Sequence, residues 1–324
     1  MKARVPDLNS VLSEAIRTFV EYKRALNRKY RSEALALNLF DRYLCDQRIT
    51  GWDDIDSELI DRFLASRPRN RPRSHNHLLG VVTRFFDWAI VQRLTERNPV
   101  SARPRRETSA RIPYLFDLDD AKRLLEVARA LPDRPKGPHR ALIYETLFAL
   151  LYGVGLRVGE VARLRLGDVD FTRDTLLIRE TKFSKTRIVP LGPRLAQRVR
   201  QYVEHLHGSK GHADTPLFSF TQRGCVHEGT ISQTFHALLP KLHLRIPPGV
   251  SSPTVHCLRH SFAVGTLLRW YREGIDPNQR LIQLSTFLGH SDPSSTAVYL
   301  TVTDKLLHEV DQRFHAFVPK DGAL

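Results

Sequence analysis

Residues 140–164 read RALIYETLFALLYGVGLRVGEVARL. From Arg140 to Gly153 the run is apolar and long enough for a helix. Gly153 and Gly155 end it and allow a sharp entry into a second helix, Val158 to Leu164, begun just after Leu156-Arg157. Arg157 then stands at a helix start, where the first backbone N–H groups are free, and that combination makes an anion site. Glu160 lies three residues on, on the same face, placed to orient the guanidinium. Taken alone, the pair also reads as a surface ion pair of little consequence.

Outward from this stretch the period changes. Thr175-Leu176-Leu177-Ile178-Arg179 and Arg187-Ile188-Val189-Pro190-Leu191 read as two short strands, with Glu180 to Thr186 a polar turn between them. Helices are expected on either side. Asp117 to Leu131 is capped by Asp117. Arg194 to Leu206 sets Leu195, Val199, Val203 and Leu206 on one face. Residues 114–324 therefore form one domain, mainly helix with a small antiparallel sheet.

Residues 1–100 read as a separate helical domain. Leu12, Ile16, Phe19 and Val20 follow helix spacing, with Ser10 offered as N-cap. Leu35, Leu39, Tyr43 and Leu44 make a second amphipathic segment. Ile55 to Leu64 makes a third, and His77 to Leu94 a fourth. Between the last two lies Arg67-Pro68-Arg69-Asn70-Arg71-Pro72-Arg73, which cannot propagate a helix. It reads either as a solvated basic loop or as guanidinium groups held out for phosphates. Residues 101–113, SARPRRETSARIP, have no apolar periodicity and carry Arg103, Arg105 and Arg106. They read as a basic linker that would lie against a duplex backbone.

The 324 residues carry 50 Lys+Arg against 35 Asp+Glu, a net charge of +15. Such an excess points to a polyanionic partner, because each phosphate contact releases condensed counterions. Membrane surface ranks below nucleic acid, since the cations form no single amphipathic stripe. No apolar run reaches the roughly 18 residues of a spanning helix, and the N-terminus lacks the apolar core of a signal peptide. Cys45, Cys225 and Cys257 are too scattered for a disulfide framework or a zinc site. A reducing cytoplasm fits that usage.

Four further segments place polar groups where core would be expected. Thr181 to Arg187 is a hairpin tip with three cations, Lys182, Lys185 and Arg187, able to enter a DNA groove; lysine can also donate a proton. In His256-Cys257-Leu258-Arg259-His260-Ser261-Phe262, His256 and Arg259 share a helix face, while Leu258 and Phe262 share the buried one. A histidine and an arginine converging on one point suit a phosphoryl group. In Leu288-Gly289-His290-Ser291-Asp292 the glycine permits a tight turn, and Ser291 or Asp292 can cap the next helix. Thr296-Ala297-Val298-Tyr299-Leu300 sets its tyrosine nine residues after His290. Alone, His256 reads as a core histidine and Tyr299 as a half-buried aromatic.

Together these segments resemble the tyrosine recombinase, or phage integrase, family. Gly155-Leu156-Arg157…Glu160, Lys182, His256…Arg259, Leu288-Gly289-His290 and Tyr299 match its motifs in order and spacing. The resemblance implies a helical, SAM-like core-binding domain and an α+β catalytic domain. Lys182 is favoured over Lys185 as the family's lysine because of the arginine and Val-Pro-Leu strand beyond it. His256 and His290 stand 34 positions apart, further than in compact chromosome-resolving members. The extra residues fall around 268–276 and look more like recombinases of transposons and other mobile elements.

The resemblance also implies a mechanism. Tyr299 attacks a phosphodiester and forms a 3′-phosphotyrosyl bond. Arg157 and Arg259 clamp the phosphate, His256 accepts the phenolic proton, His290 bonds a phosphate oxygen, Lys182 protonates the leaving oxygen, and Glu160 supports the arginines. Neither metal nor cofactor is called for. The implied partners are double-stranded DNA with an inverted-repeat site, three further copies of the chain on two duplexes, and in some systems a helper protein. The amphipathic stretch 304–324 is expected to dock on a neighbouring copy. A type IB topoisomerase and a catalytically silent DNA-binding accessory protein are the rival readings.

Overall fold

The computed structural model describes residues 8–106, 112–179, 186–208, 211–221, 224–290, 292 and 294–301. The chain divides into two compact units, Met1–Ala110 and Arg111–Leu324. The division falls inside the expected linker.

The first unit contains α1 (Ser13–Ala25), α2 (Arg31–Asp46), α3 (Ser57–Ser66) and α4 (Pro72–Val91). They close around a core rich in aromatic rings, with Phe19, Phe40, Phe63, Phe85 and Phe86 almost wholly buried. Such rings bury large areas and prefer the edge-to-face contacts that Phe19 and Phe40 make with Phe85 and Phe86. Asp56 caps α3 by accepting the Leu59 N–H at 2.8 Å.

Several local expectations are corrected here. Ser10 is not the cap of α1. The helix starts at Ser13 with Leu12 in the cap position; the Ser10 hydroxyl accepts the Leu12 N–H at 3.2 Å in the turn before it and donates to buried Asp41 at 2.5 Å, while Asp41 also accepts the Asn9 and Ser10 N–H groups, so Ser10 ties the chain entry to α2. Leu35 is exposed, because Ala34, Leu37, Phe40 and Leu44 take the inward positions of α2. Ile55 precedes α3 and packs as a buried residue ahead of the cap. The non-helical part of the arginine-proline stretch ends at Arg71, before Arg73. Pro72 is the first residue of α4, where a missing N–H costs nothing and its φ is preset for a helix. Nor is 101–106 a free tether. Ala102 packs against the first unit's core. Asn76 receives the Arg105 N–H and donates to its carbonyl, both at 2.8 Å.

The second unit contains α5 (Leu118–Arg129), α6 (Arg140–Gly153), α7 (Val158–Ala162), α8 (Pro193–Leu206), α9 (Glu228–Leu238), α10 (Val255–Arg272), α11 (Pro277–Leu288) and α12 (Ser294–Thr301). Asp117 caps α5 through the Asp119 and Asp120 N–H groups. α6 is buried along most of its length, which is why its sequence is apolar throughout. Between α7 and α8 lies a three-stranded antiparallel sheet, β1 (Val169–Asp170), β2 (Thr175–Ile178) and β3 (Arg187–Pro190), in that order. Leu176 pairs with Val189 and both face the core, while Ile188, opposite Leu177, points outward. β1 is too short to leave an alternating pattern in the sequence. A separate apolar cluster joins α10, α11 and α12 through Ala263, Val264, Leu267, Leu284, Leu288 and Tyr299. Among the described residues, no helix is long and apolar enough to cross a membrane. The three cysteines are free, Cys45 and Cys225 exposed and Cys257 buried.

Candidate active site

The site begins at the α6–α7 junction. Gly155 takes φ +61°, and a Cβ there would meet the Phe262 ring at 2.5 Å. Only glycine meets both conditions. The next turn of chain presents Arg157 in extended backbone as the residue capping α7. Its N–H donates to Glu160 Oε2 at 2.9 Å and its Nη1 to Oε1 at 2.7 Å. The expected role of Glu160 in orienting Arg157 thus has a direct geometric basis. Of the N–H groups at this helix start, that of Arg157 is taken by Glu160.

Glu160 holds a second arginine more fully. Arg187, at the start of β3, donates to both Glu160 oxygens at 2.9 and 2.8 Å, and its Nε donates to the Phe287 carbonyl at 2.8 Å. The sequence places Arg187 on the hairpin tip facing DNA. Its side chain is instead only 10% exposed, with its donors spent inside the protein. It is a buried strut, since a carboxylate this deep needs a planar bidentate partner. Arg259 comes within 4.0 Å of the same carboxylate. Burial alone would raise the Glu160 carboxyl; hydrogen bonds and charge from Arg187, then Arg157, win and hold it at about 2.

Arg259 is 1% exposed. Its Nη1 donates to the Gly155 carbonyl at 2.8 Å and its Nη2 to the Leu288 carbonyl at 2.7 Å. Its Nε, also buried, makes no hydrogen bond among the described residues. Arg259 therefore does not share an open face with His256. It points into the protein beside Leu258, while His256 remains open to water. The surrounding protein, then Arg259 and Arg157, shift the His256 imidazole downward, so it is neutral at pH 7.

The other wall is the end of α11. Gly289 adopts φ +68° and closes the helix with a left-handed cap; the His290 N–H returns to the Ser285 carbonyl at 3.0 Å. A Cβ at Gly289 would meet Arg187 Nη1 at 2.7 Å. Three successive carbonyls here each receive a different arginine: Phe287 takes Arg187, Leu288 takes Arg259, and Gly289 takes Arg157 at 2.9 Å. Unpaired carbonyls and the negative end of the helix dipole favour cations at this place.

His290 hydrogen bonds through Nδ1 to Thr296 Oγ1 at 2.6 Å, and its ring stacks beside that of Tyr299 at 6.3 Å. Burial, then Arg259 and Arg157, lower it to about 4. Tyr299 sits on α12, 5% exposed. Its hydroxyl meets His260 Nδ1 at 3.0 Å. Burial raises its pKa above that of a free phenol, making it a weaker acid, and the nearby charges of Arg259 and Arg157 only partly offset this. At neutral pH the phenol keeps its proton.

The second unit thus gathers Arg157, Glu160, Arg259, His290 and Tyr299 in one place, from four helices and the turns between them. It adds a residue that sequence reasoning passes over. His260 adjoins Arg259 and has no task in the sequence pattern. The available signal is its spacing from His256, four residues along the same helix, which puts both rings on one side; they pack edge-to-face at 4.6 Å. Lys182 and Lys185 lie outside the described residues, as does the 304–324 tail. In the first unit Arg71, Arg73, Arg103, Arg105 and Arg106 are exposed and Arg67 and Arg69 half-buried. Arg105 also donates to the Arg69 carbonyl at 3.2 Å. Among the described residues no group of three or more His, Cys, Asp or Glu is placed to hold a metal ion.

Buried Arg259, half-buried Arg157, neutral histidines and a buried phenol form an arrangement able to hold an oxyanion beside a nucleophile. Comparison with known proteins bears on the family and the fold. Residues 115–305 match the model of the phage integrase family. The chain is 34% identical over 308 residues to y4rB of Sinorhizobium fredii, an integrase/recombinase-type protein, covering 94% of this chain and 97% of that one. It is 27% identical to the tyrosine recombinase XerA of Pyrococcus horikoshii, over 97% and 96% of the two chains. Among solved structures, the Tn1549 transposon integrase in complex with a circular-intermediate DNA superposes with a TM-score of 0.66 at 16% identity, over 94% of this chain and all of that one. A lambda integrase dimer bound to a core site gives 0.64 at 18%, over 90% and 77%. At those identities the likeness is one of fold.

Proposed function

Since the chain belongs to the phage integrase family and is a site-specific recombinase of the tyrosine type, we propose that Tyr299 cuts DNA and carries the broken strand as a 3′-phosphotyrosine. The observation that carries this reading is the Tyr299 hydroxyl, held within reach of a histidine and beside the buried charge of Arg259. A phosphodiester resists attack because its oxygens are anionic and its leaving alkoxide is poor. Arg157 and Arg259 neutralise the non-bridging oxygens. With Nδ1 engaged by Thr296, His290 has Nε2 left for a phosphate oxygen. His256, open to water near both arginines, donates to the phosphate as well. Lys182, with Lys185 as the alternative, protonates the departing 5′-oxygen. Glu160 and Arg187 keep the two clamping arginines in place.

The phosphotyrosyl bond conserves the energy of the broken diester, so rejoining needs only a 5′-hydroxyl from a partner duplex. Four copies on two duplexes would exchange strands through a Holliday junction. The site would be an inverted repeat, bound partly by Arg67, Arg69, Arg71, Arg73, Arg103, Arg105 and Arg106. The long interval between His256 and His290 favours a mobile element, whose integration, excision or cointegrate resolution this chain would carry out in the cytoplasm, with a helper protein where the site demands one.

A nicked suicide duplex built on the DNA flanking the gene tests this, in chelator and without ATP. The expected product is a detergent-resistant protein–DNA adduct whose phosphotyrosine maps to Tyr299. Relaxation of supercoiled plasmid with no dependence on that DNA would favour a topoisomerase instead. Binding without any adduct would favour an accessory protein. Removing residues 304–324 should leave binding to a single site unchanged and weaken pairing of two sites in a gel-shift assay; undiminished pairing would place the tail on its own domain.

A further inference from the structure

We propose that His260 is a catalytic residue that accepts the Tyr299 proton during strand cleavage and returns it during rejoining. The inference rests on the recombinase reading above and departs from the expectation that His256 is the acceptor. His260 Nδ1 lies 3.0 Å from the Tyr299 hydroxyl, whereas His256 contacts the His260 ring and no described contact joins it to Tyr299. The other groups around the phenol cannot take its proton. Arg259 and Arg157 are cations, and arginine does not deprotonate in proteins. His290 lies with its ring alongside the Tyr299 ring, and its Nδ1 is engaged by Thr296.

The rest of the environment fits the role. His260 is half-buried, and burial, then His256, Arg259 and His290, lower its imidazole to about 4. It is therefore neutral at pH 7, and the tautomer protonated on Nε2 presents a lone pair at Nδ1. The proton nevertheless rests on the phenol, which burial has made less acidic. That balance keeps the nucleophile quiet without DNA. It turns when a phosphate enters, because its negative charge offsets the arginines that disfavour an imidazolium. As the Oη–P bond forms, the phenol O–H bond breaks and its proton moves to Nδ1. The P–O5′ bond breaks with its electron pair, and the 5′-oxygen takes a proton from the general acid, Lys182 in the reading above. In rejoining, the 5′-hydroxyl returns its proton to the now neutral Lys182 as its oxygen bonds to phosphorus, the P–Oη bond breaks with its electron pair, and His260 hands its proton back to Oη.

The test is single-turnover capture on the nicked duplex, using the full chain. General-base catalysis contributes about 10²–10⁴-fold, so His260→Ala should slow adduct formation by at least about 100-fold while gel-shift binding holds. Added imidazole should restore part of the loss, and more basic imidazoles should restore more. His260→Asn, which keeps a hydrogen-bonding group near the Nδ1 position but cannot carry the proton, should stay slow. Near-normal capture by His260→Ala, repair by Asn, or a loss that imidazoles leave unrelieved would each overturn the proposal. A His256→Ala enzyme that loses capture while His260→Ala keeps it would move the base to His256 and leave the recombinase reading intact. A wild-type chain that binds this DNA and forms no adduct would sink both.

Discussion

Tyr299→Phe should abolish covalent capture of the nicked duplex and leave DNA binding unchanged. The substitution removes one oxygen from a ring packed among Ala263, Val264, Leu267, Leu284 and Leu288, so the apolar contacts survive. The protein loses one hydrogen bond to His260, worth about 0.5–1.5 kcal/mol of stability. The chemistry would lose its proposed nucleophile. A drop of at least about four orders of magnitude is expected, as when a covalent nucleophile is deleted elsewhere. Denaturing gels of trapped reactions measure it directly. An adduct that persisted in the phenylalanine variant would assign the cut to another residue.

Glu160→Ala should be the most damaging single change to the folded protein itself. The carboxylate is 4% exposed and serves Arg157, Arg187 and, at longer range, Arg259. Deleting one member of a buried ion pair strands the other charges and costs about 3–5 kcal/mol. Denaturant melts should register that loss, and capture should fall with it as both clamping arginines lose their anchor. Glu160→Gln keeps the volume and part of the hydrogen bonding, so it should fall between alanine and wild type.

Acid provides a second readout on the same group. The Glu160 carboxyl is held at about 2 against an ordinary 4.5. A depressed folded value means the stabilisation is fully present above pH 4.5 and drains away as pH falls toward 2. The difference corresponds to something on the order of 3 kcal/mol. Wild type should lose that increment in acid melts, while Glu160→Gln, with no carboxyl to protonate, should not. Equal acid sensitivity of the two would show that the cluster contributes no such linkage.

Sequence is readable where its chemistry acts locally. The bounds of α6 come from its apolar run and its closing glycines, and the cap at Asp117 and the turn at Gly289 come from residue type. The positions gathered around the site are legible as a set because their order and spacing carry the pattern. The features that escape depend on partners far away in sequence. Ser10 has the chemistry of a cap, but α1 begins beyond it, and its hydroxyl serves Asp41 and the Leu12 N–H in the preceding turn. Arg187 looks like an exposed cation on a hairpin until Glu160 and the Phe287 carbonyl are seen to hold it. His260 gains its role only when α12 brings Tyr299 across a separation that no periodicity records.

The last carbonyls of α11 are fastened to arginines from α7's cap, β3 and α10, so the near end of the α10–α11 pair is locked to the cutting centre. The far end, where α10 turns through Gly274 into Asp276, carries none of those fastenings. Yet Trp270 shares one apolar cluster with Leu288 and Tyr299, and Leu268 and Ile275 pack against it, so length gained around residues 268–276 is coupled to the packing around Tyr299. Only the exposed turn at Glu273 and Gly274 stands clear of that cluster, and an engineer seeking a place to splice a new module into the catalytic domain should begin there.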